Sequence, residues 1–181
     1  MPKRWSPAQR HLHWWSASLV LLGFLLGWLM IFLPLQQLLL RFVMYQAHKT
    51  IGLVVLALTV ARLLLRARRG RPPHDERIPA WQRRAATTMQ AVLLILLLVQ
   101  PVLGYLTAAT APAPIPTFFF GVIRIPHLLH ADRTLFAVLQ PLHRALAVLL
   151  ITLALGHALA AWRQGQGSAL DPPGNSFPGP I

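Results

Sequence analysis

Four stretches of this sequence are long and apolar enough to cross a bilayer, and that fact constrains the fold more than any other. A crossing takes roughly 20 apolar residues. The first stretch covers about 12–33 and stops at Pro34; the second covers 47–65. The third covers 85–108, with Pro101 inside it, and the fourth covers 142–162. Lipid offers no partner to a free backbone amide or carbonyl, so such segments must be helices. The expected fold is all-α: an integral-membrane four-helix bundle over 1–163, followed by a Gly/Pro-rich flexible tail over 164–181. Composition agrees, with 55% hydrophobic and 12% charged residues, against about 25% charged in soluble domains. The first stretch has a basic start, as a secretory leader does. Its apolar run is too long for one and no small-x-small cleavage site follows, so it reads as a retained span.

The net charge of +13 could suggest a nucleic-acid binder, but the cations sit where a membrane protein needs them. Lys3, Arg4 and Arg10 precede the first span, and Arg66, Arg68, Arg69, Arg71, Arg77, Arg83 and Arg84 lie between the second and third. The positive-inside rule puts both termini and that middle link in the cytoplasm. The long link after the third span, about 109–141, is then external. Its prolines block a continuous helix, and Phe118, Phe119 and Phe120 suit a segment lying in the interface. Cysteine is absent, which excludes disulfides, thiolate-held iron–sulfur clusters and covalent Cys-x-x-Cys-His heme.

Against this background the histidines stand out: eight of them, beside four acids. An ionisable residue within a span is costly and is a functional hypothesis by default. His143 and His157 are fourteen residues apart on the fourth span. On a helix they point within about 40° of each other and lie about 21 Å apart along the axis. The topology places His13 and His157 at the cytoplasmic depth, and His48 and His143 at the external depth. Depth therefore pairs His13 with His157 and His48 with His143. Two imidazoles on facing helices can hold a b-type heme iron from both sides. Zinc usually wants three or four protein ligands, and the spans hold no acid or cysteine. Copper held by histidine pairs is a less economical alternative.

Other residues fit heme. Gly52, four after His48, and Gly156, just before His157, leave room for a flat macrocycle. Arginines bind carboxylates bidentately, so Arg10, Arg62 and Arg66 inside, with Lys49, Arg124, Arg133 and Arg144 outside, can meet propionates. A lone histidine at a span end is more often an interfacial polar residue than a ligand; four at matched depths are much harder to dismiss. His11 points elsewhere on its helix and reads as interfacial. His74, beside Asp75 and Glu76, reads as solvated, and His127 and His130 as loop residues. Trp14, Trp15 and Trp28 read as lipid or packing surface, and Pro101 with Gly104 as a packing kink.

The stretches RHLHWWSASLVLLGFLLG, HKTIGLVVLALTVARLLLR, QPVLGYL and LHRALAVLLITLALGHALAAW together resemble the bacterial cytochrome b561 family, over about residues 7–163. The resemblance implies a di-heme cytochrome of the bacterial inner membrane, with His13, His48, His143 and His157 as axial ligands. Members often carry a further histidine early in the third span, where this chain has Met89 and Gln90. The resemblance also implies exchange with the ubiquinone pool, and one activity reported in the family is superoxide oxidation with ubiquinone as acceptor. An external basic patch of Lys49, Arg124, Arg133 and Arg144 would attract such an anion. His127 and His130 are one candidate for a proton-handling quinone site, but simple surface solvation is the slightly favoured reading. Two other readings remain open at this point. One is a heme-bearing anchor or electron-transfer subunit for a partner dehydrogenase or periplasmic redox protein. The other, more remote, is a histidine-based proton or metal-ion transporter. The chain has no nucleotide motif, and nucleic-acid binding by the Arg-rich link is not expected beside a membrane.

Overall fold

A computed structural model describes residues 5–34, 36–70 and 78–169. His74 and the basic residues Lys3, Arg4, Arg71 and Arg77 lie outside them. Four helices follow in order: α1 (Pro7–Phe32), α2 (Leu38–Arg69), α3 (Ala80–Thr110) and α4 (Arg133–Ala169). Each contains a window long and apolar enough to cross a membrane. α1 packs on α2, α2 on α3 and α3 on α4, and α4 touches α1, closing the bundle. One end carries the α1–α2 and α3–α4 connections; the other carries the α2–α3 link and the start of α1. These are called the hairpin end and the terminal end below.

Local chemistry sets the helix limits. Ser6 caps α1 through a capping box with Gln9 (Gln9 N donates to Ser6 Oγ, 3.3 Å; Ser6 N donates to Gln9 Oε1, 3.0 Å), and Pro7 fills the first helical position. Leu33, the residue before Pro34, is already extended, as expected before a proline. Gly70, at φ 74°, ends α2 and donates its N–H to Arg66 O at 2.9 Å. Arg66, Arg68 and Arg69 sit in that last turn, where cations complement the helix dipole.

α4 departs from the expected span at both ends. It begins at Arg133 rather than after Pro141, because Asp132 caps it: Leu135 N donates to Asp132 Oδ1 at 3.0 Å. Pro141 sits inside the helix, as Pro101 does in α3; neighbouring helices tolerate the lost bond in a membrane bundle. At the other end α4 runs on to Ala169, so the start of the expected flexible tail over 164–181 is helical. Glycines there cost only about 1 kcal/mol each, and the next proline is Pro172. Residues 170–181 lie outside the described residues.

The α3–α4 link is not a plain loop. Thr117–Phe119 (β1) and Ile123–Ile125 (β2) form an antiparallel hairpin. Phe120 (φ 51°) and Gly121 (φ 75°) turn it, and two successive positive φ values match the twist of a tight hairpin. α2 holds β1 through Gln46 and Thr50, one turn apart. Gln46 Nε2 donates to Pro116 O (2.8 Å) and its Oε1 accepts from Phe118 N (2.9 Å). Thr50 Oγ1 accepts from Phe120 N (3.3 Å). On the other side Tyr105 Oη donates to Pro126 O and accepts from Leu128 N, both at 2.8 Å.

The apolar core is narrow and central. Val55, Leu96, Leu97 and Leu150 are buried, with Leu19, Val20, Ile51, Val92, Leu93, Leu146 and Leu153 packed around them. Every helix contributes, and in sequence these residues fall between the two histidine levels. Large apolar side chains cover the outside; Leu38 and Leu39 are over 70% exposed, as a lipid-facing surface requires. Trp14, Trp15 and Trp28 share that exposed surface, as expected.

Candidate functional site

The bundle brings together both predicted pairs. The rings of His48 (α2) and His143 (α4) have centres 6.3 Å apart, at an interplanar angle of 89°. The rings of His13 (α1) and His157 (α4) also have centres 6.3 Å apart, at 75°. His11 and His130 are exposed.

At the hairpin end, α1 and α3 seat the two rings. His48 Nδ1 lies 2.9 Å from Gly23 O. A carbonyl only accepts, so Nδ1 carries the proton and Nε2 keeps its lone pair. One turn further along α1, a Cβ at Gly27 would come within 3.1 Å of His48 Cε1. α3 repeats the arrangement. Gln100 Nε2 donates to His143 O at 2.8 Å. A Cβ at Gly104 would come within 2.9 Å of His143 Cε1, closer than real side chains pack. His143 Nδ1 is buried, faces the Gln100 main-chain carbonyl and falls short of a hydrogen bond with it.

The terminal end is built differently. Arg62 Nη2 lies 3.3 Å from His13 Nδ1. A guanidinium only donates, so His13 Nδ1 accepts. Trp14 stands edge-on to His13, with ring centres 5.4 Å apart. The described glycine nearest in sequence to these rings, Gly156, has nothing within 4 Å of where its Cβ would be. The same is true of Gly52 at the other end.

These features test whether a heme suits the residues present. Ligation of one iron by two imidazoles puts the ring centres about 6 Å apart, since each metal–imidazole bond is roughly 2 Å. Both pairs match that spacing. His48 already presents an unprotonated Nε2, and Gly52, one turn from it, has open space where a Cβ would be; Gly156 lies on the exposed surface. Among the described residues no three His, Cys, Asp or Glu side chains converge, as a bare metal ion would require. A macrocycle supplies four ligands itself and needs only two from the protein. The residues fit.

Of the cations proposed for propionates, Arg62 stands beside a histidine pair. Lys49 Nζ donates to Ile115 O at 2.8 Å and ties the hairpin segment to α2, which leaves two of its three donors. Arg124, Arg133 and Arg144 are exposed at the hairpin end. His127 is not free in the loop: its Nε2 is 3.1 Å from Thr117 Oγ1, and Tyr105 stands edge-on to it at 6.1 Å. His127, His130 and Arg124 line a cavity of about 380 Å³ beside the hairpin. Partial burial, then Lys49 and Arg124, hold His127 below the ordinary 6.5.

Four residues that shape the hairpin-end pair, Gln100 among them, are not marked as such by the sequence. Gly23 and Gly27 had no reading, and Gly104 read only as a kink. The signal was available: a G-x-x-x-G spacing on α1 lets another helix approach closely, and Gly104 follows Gln100 by the same one-turn interval.

A four-helix membrane bundle with stacked histidine pairs defines a class, the membrane cytochromes of b type. Comparison with known families narrows it: the family profile of prokaryotic cytochrome b561 matches residues 4–169, and the chain belongs to that family. It is accordingly a multi-pass protein of the bacterial inner membrane that binds b-type heme and transfers electrons. No individual curated protein matches the chain.

Proposed function

We propose that this cytochrome holds two b-type hemes, one on His48 and His143 and one on His13 and His157, and exchanges electrons between a donor on the hairpin side and ubiquinone. The observation that carries the reading is the equal ring separation of 6.3 Å in two pairs at opposite ends of the apolar core. Heme supplies the one-electron chemistry; axial ligands and burial tune its potential. The chain's residues do the rest. Gly23 O fixes the His48 tautomer, Gly27 and Gly104 let the rings approach, and the core residues exclude water between the two levels. At the terminal end, His13 must carry its proton on Nδ1 to ligate through Nε2, so Arg62 has to release that nitrogen. Its guanidinium is then available to a propionate carboxylate, for which it is the better-shaped partner.

The basic terminal end, with Arg66, Arg68, Arg69, Arg83 and Arg84, is the cytoplasmic one on the positive-inside rule. The hairpin end then faces outward, where exposed Arg124, Arg133 and Arg144 would attract an anionic donor such as superoxide. Single His→Ala variants test the pairing by heme count. His48→Ala and His143→Ala should each lose the same heme, and His13→Ala and His157→Ala the other. Loss of both hemes from one substitution in an intact bundle, or of neither, contradicts the pairing.

A further inference from the structure

Three buried side-chain atoms among the described residues have no hydrogen-bond partner: Gln9 Nε2, Gln100 Oε1 and His143 Nδ1. Two of the three belong to residues that already touch, since Gln100 Nε2 donates to the His143 carbonyl at 2.8 Å. They are also complementary. A histidine that gives Nε2 to a metal carries its proton on Nδ1, and a buried donor left without an acceptor is costly. Gln100 Oε1 is a buried acceptor without a donor. At the matching place on α1, His48 Nδ1 already has its acceptor in Gly23 O; the corresponding carbonyl on α3, that of Gln100, faces His143 Nδ1 without closing a hydrogen bond. Gly104, one turn beyond Gln100, abuts the same His143 ring and limits how it can turn away.

We infer that Gln100 is the positioning residue for His143: its side-chain oxygen accepts the Nδ1 proton of His143 when that ring ligates heme, while its amide nitrogen holds the His143 main chain. The inference rests on the two-heme reading. A metal-bound histidine whose other nitrogen is hydrogen-bonded is held in orientation and made a stronger donor, and loss of such a partner typically costs about 10–100-fold in affinity. Gln100 therefore sets both the occupancy and the potential of the hairpin-end heme, and leaves the terminal-end heme alone.

Two variants of the full-length detergent-purified protein separate this from a merely structural role. Gln100→Met keeps the volume and removes both polar atoms. Gln100→Glu keeps an acceptor, strengthened by charge, and removes the donor to the His143 carbonyl. Redox titration of each, with heme counted per chain, gives the readout, and the terminal-end heme reports that the bundle is intact. In Gln100→Met the hairpin-end heme should bind about 10-fold more weakly and its midpoint potential should rise. In Gln100→Glu that heme should be retained and its potential should fall. An unmoved potential in Gln100→Met overturns the inference, whether or not Gln100→Glu assembles. So does a Gln100→Glu protein that keeps the terminal-end heme and loses the other, because the amide nitrogen alone then mattered. A His143→Ala protein that keeps both hemes overturns the two-heme reading instead, and the inference falls with it.

Discussion

The two histidine pairs have the same ring separation and opposite surroundings. At the hairpin end, neutral groups surround the rings: backbone, and the Gln100 side chain that holds the His143 main chain. A carbonyl orients His48, glycines on α1 and α3 face the rings, and α2 clamps the hairpin nearby through Gln46, Lys49 and Thr50. At the terminal end a charged side chain, Arg62, donates to His13 Nδ1. On the two-heme proposal, the His48 side of the first site is arranged before heme binds, and the second site exchanges one partner for another. The hairpin-end site should thus be sensitive to shape, and the terminal-end site to charge.

The largest effect should come from filling the glycine contact. Gly104→Leu puts bulk where even a Cβ would stand 2.9 Å from the His143 ring. Heme per chain should fall by one, with the terminal-end heme retained in the difference spectrum. Gly27→Ala, at 3.1 Å from His48, is a milder overpacking of about 1–3 kcal/mol. It should weaken the same heme about 10-fold, measured by heme titration of the apoprotein. If either substitution displaces the terminal-end heme instead, the comparison is wrong about which end depends on shape.

Charge at the other end should matter less, but selectively. Arg62→Gln should weaken the terminal-end heme by about 10-fold and leave the hairpin-end potential unmoved. Arg62→Lys should not restore it fully, because an ammonium lacks the bidentate fork. Equal effects on both hemes would erase the distinction.

The smallest effect concerns the hairpin itself. His127 is held below its ordinary 6.5, chiefly by partial burial. A histidine with a lowered folded pKa stabilises the fold above 6.5, and that contribution is lost as pH falls through the folded value. The protection of β1 and β2 amides, taken relative to their intrinsic exchange rates, should therefore fall modestly on acidification below pH 6.5, and Thr117→Val should reduce the difference. Protection that rises on acidification contradicts the assignment.

The histidine pairs were legible in the sequence because they depend on quantities a sequence carries: helical rise, span direction and the alternation of sides. His143 and His157 fell on one face by arithmetic, and the charge bias then chose their partners by depth. What escaped depends on non-local contact. The hairpin over 117–125 forms where Gln46 and Thr50 reach across some 70 residues of sequence, which no local pattern reports. The charge of Lys49 can be read from a sequence; its bond to Ile115 O, which spends one of three ammonium donors, cannot. Pro141 looked like a helix start because the Asp132 cap was not weighed against it. Gln100 was invisible as a site residue, since a glutamine in an apolar run reads as tolerated polarity until its neighbour is known.

The central claim, that each histidine pair holds its own heme, is tested most directly by a pyridine hemochrome assay of the purified full-length protein, expressed with ample heme. The account predicts two b-type hemes per chain. One heme per chain, or none, would contradict it.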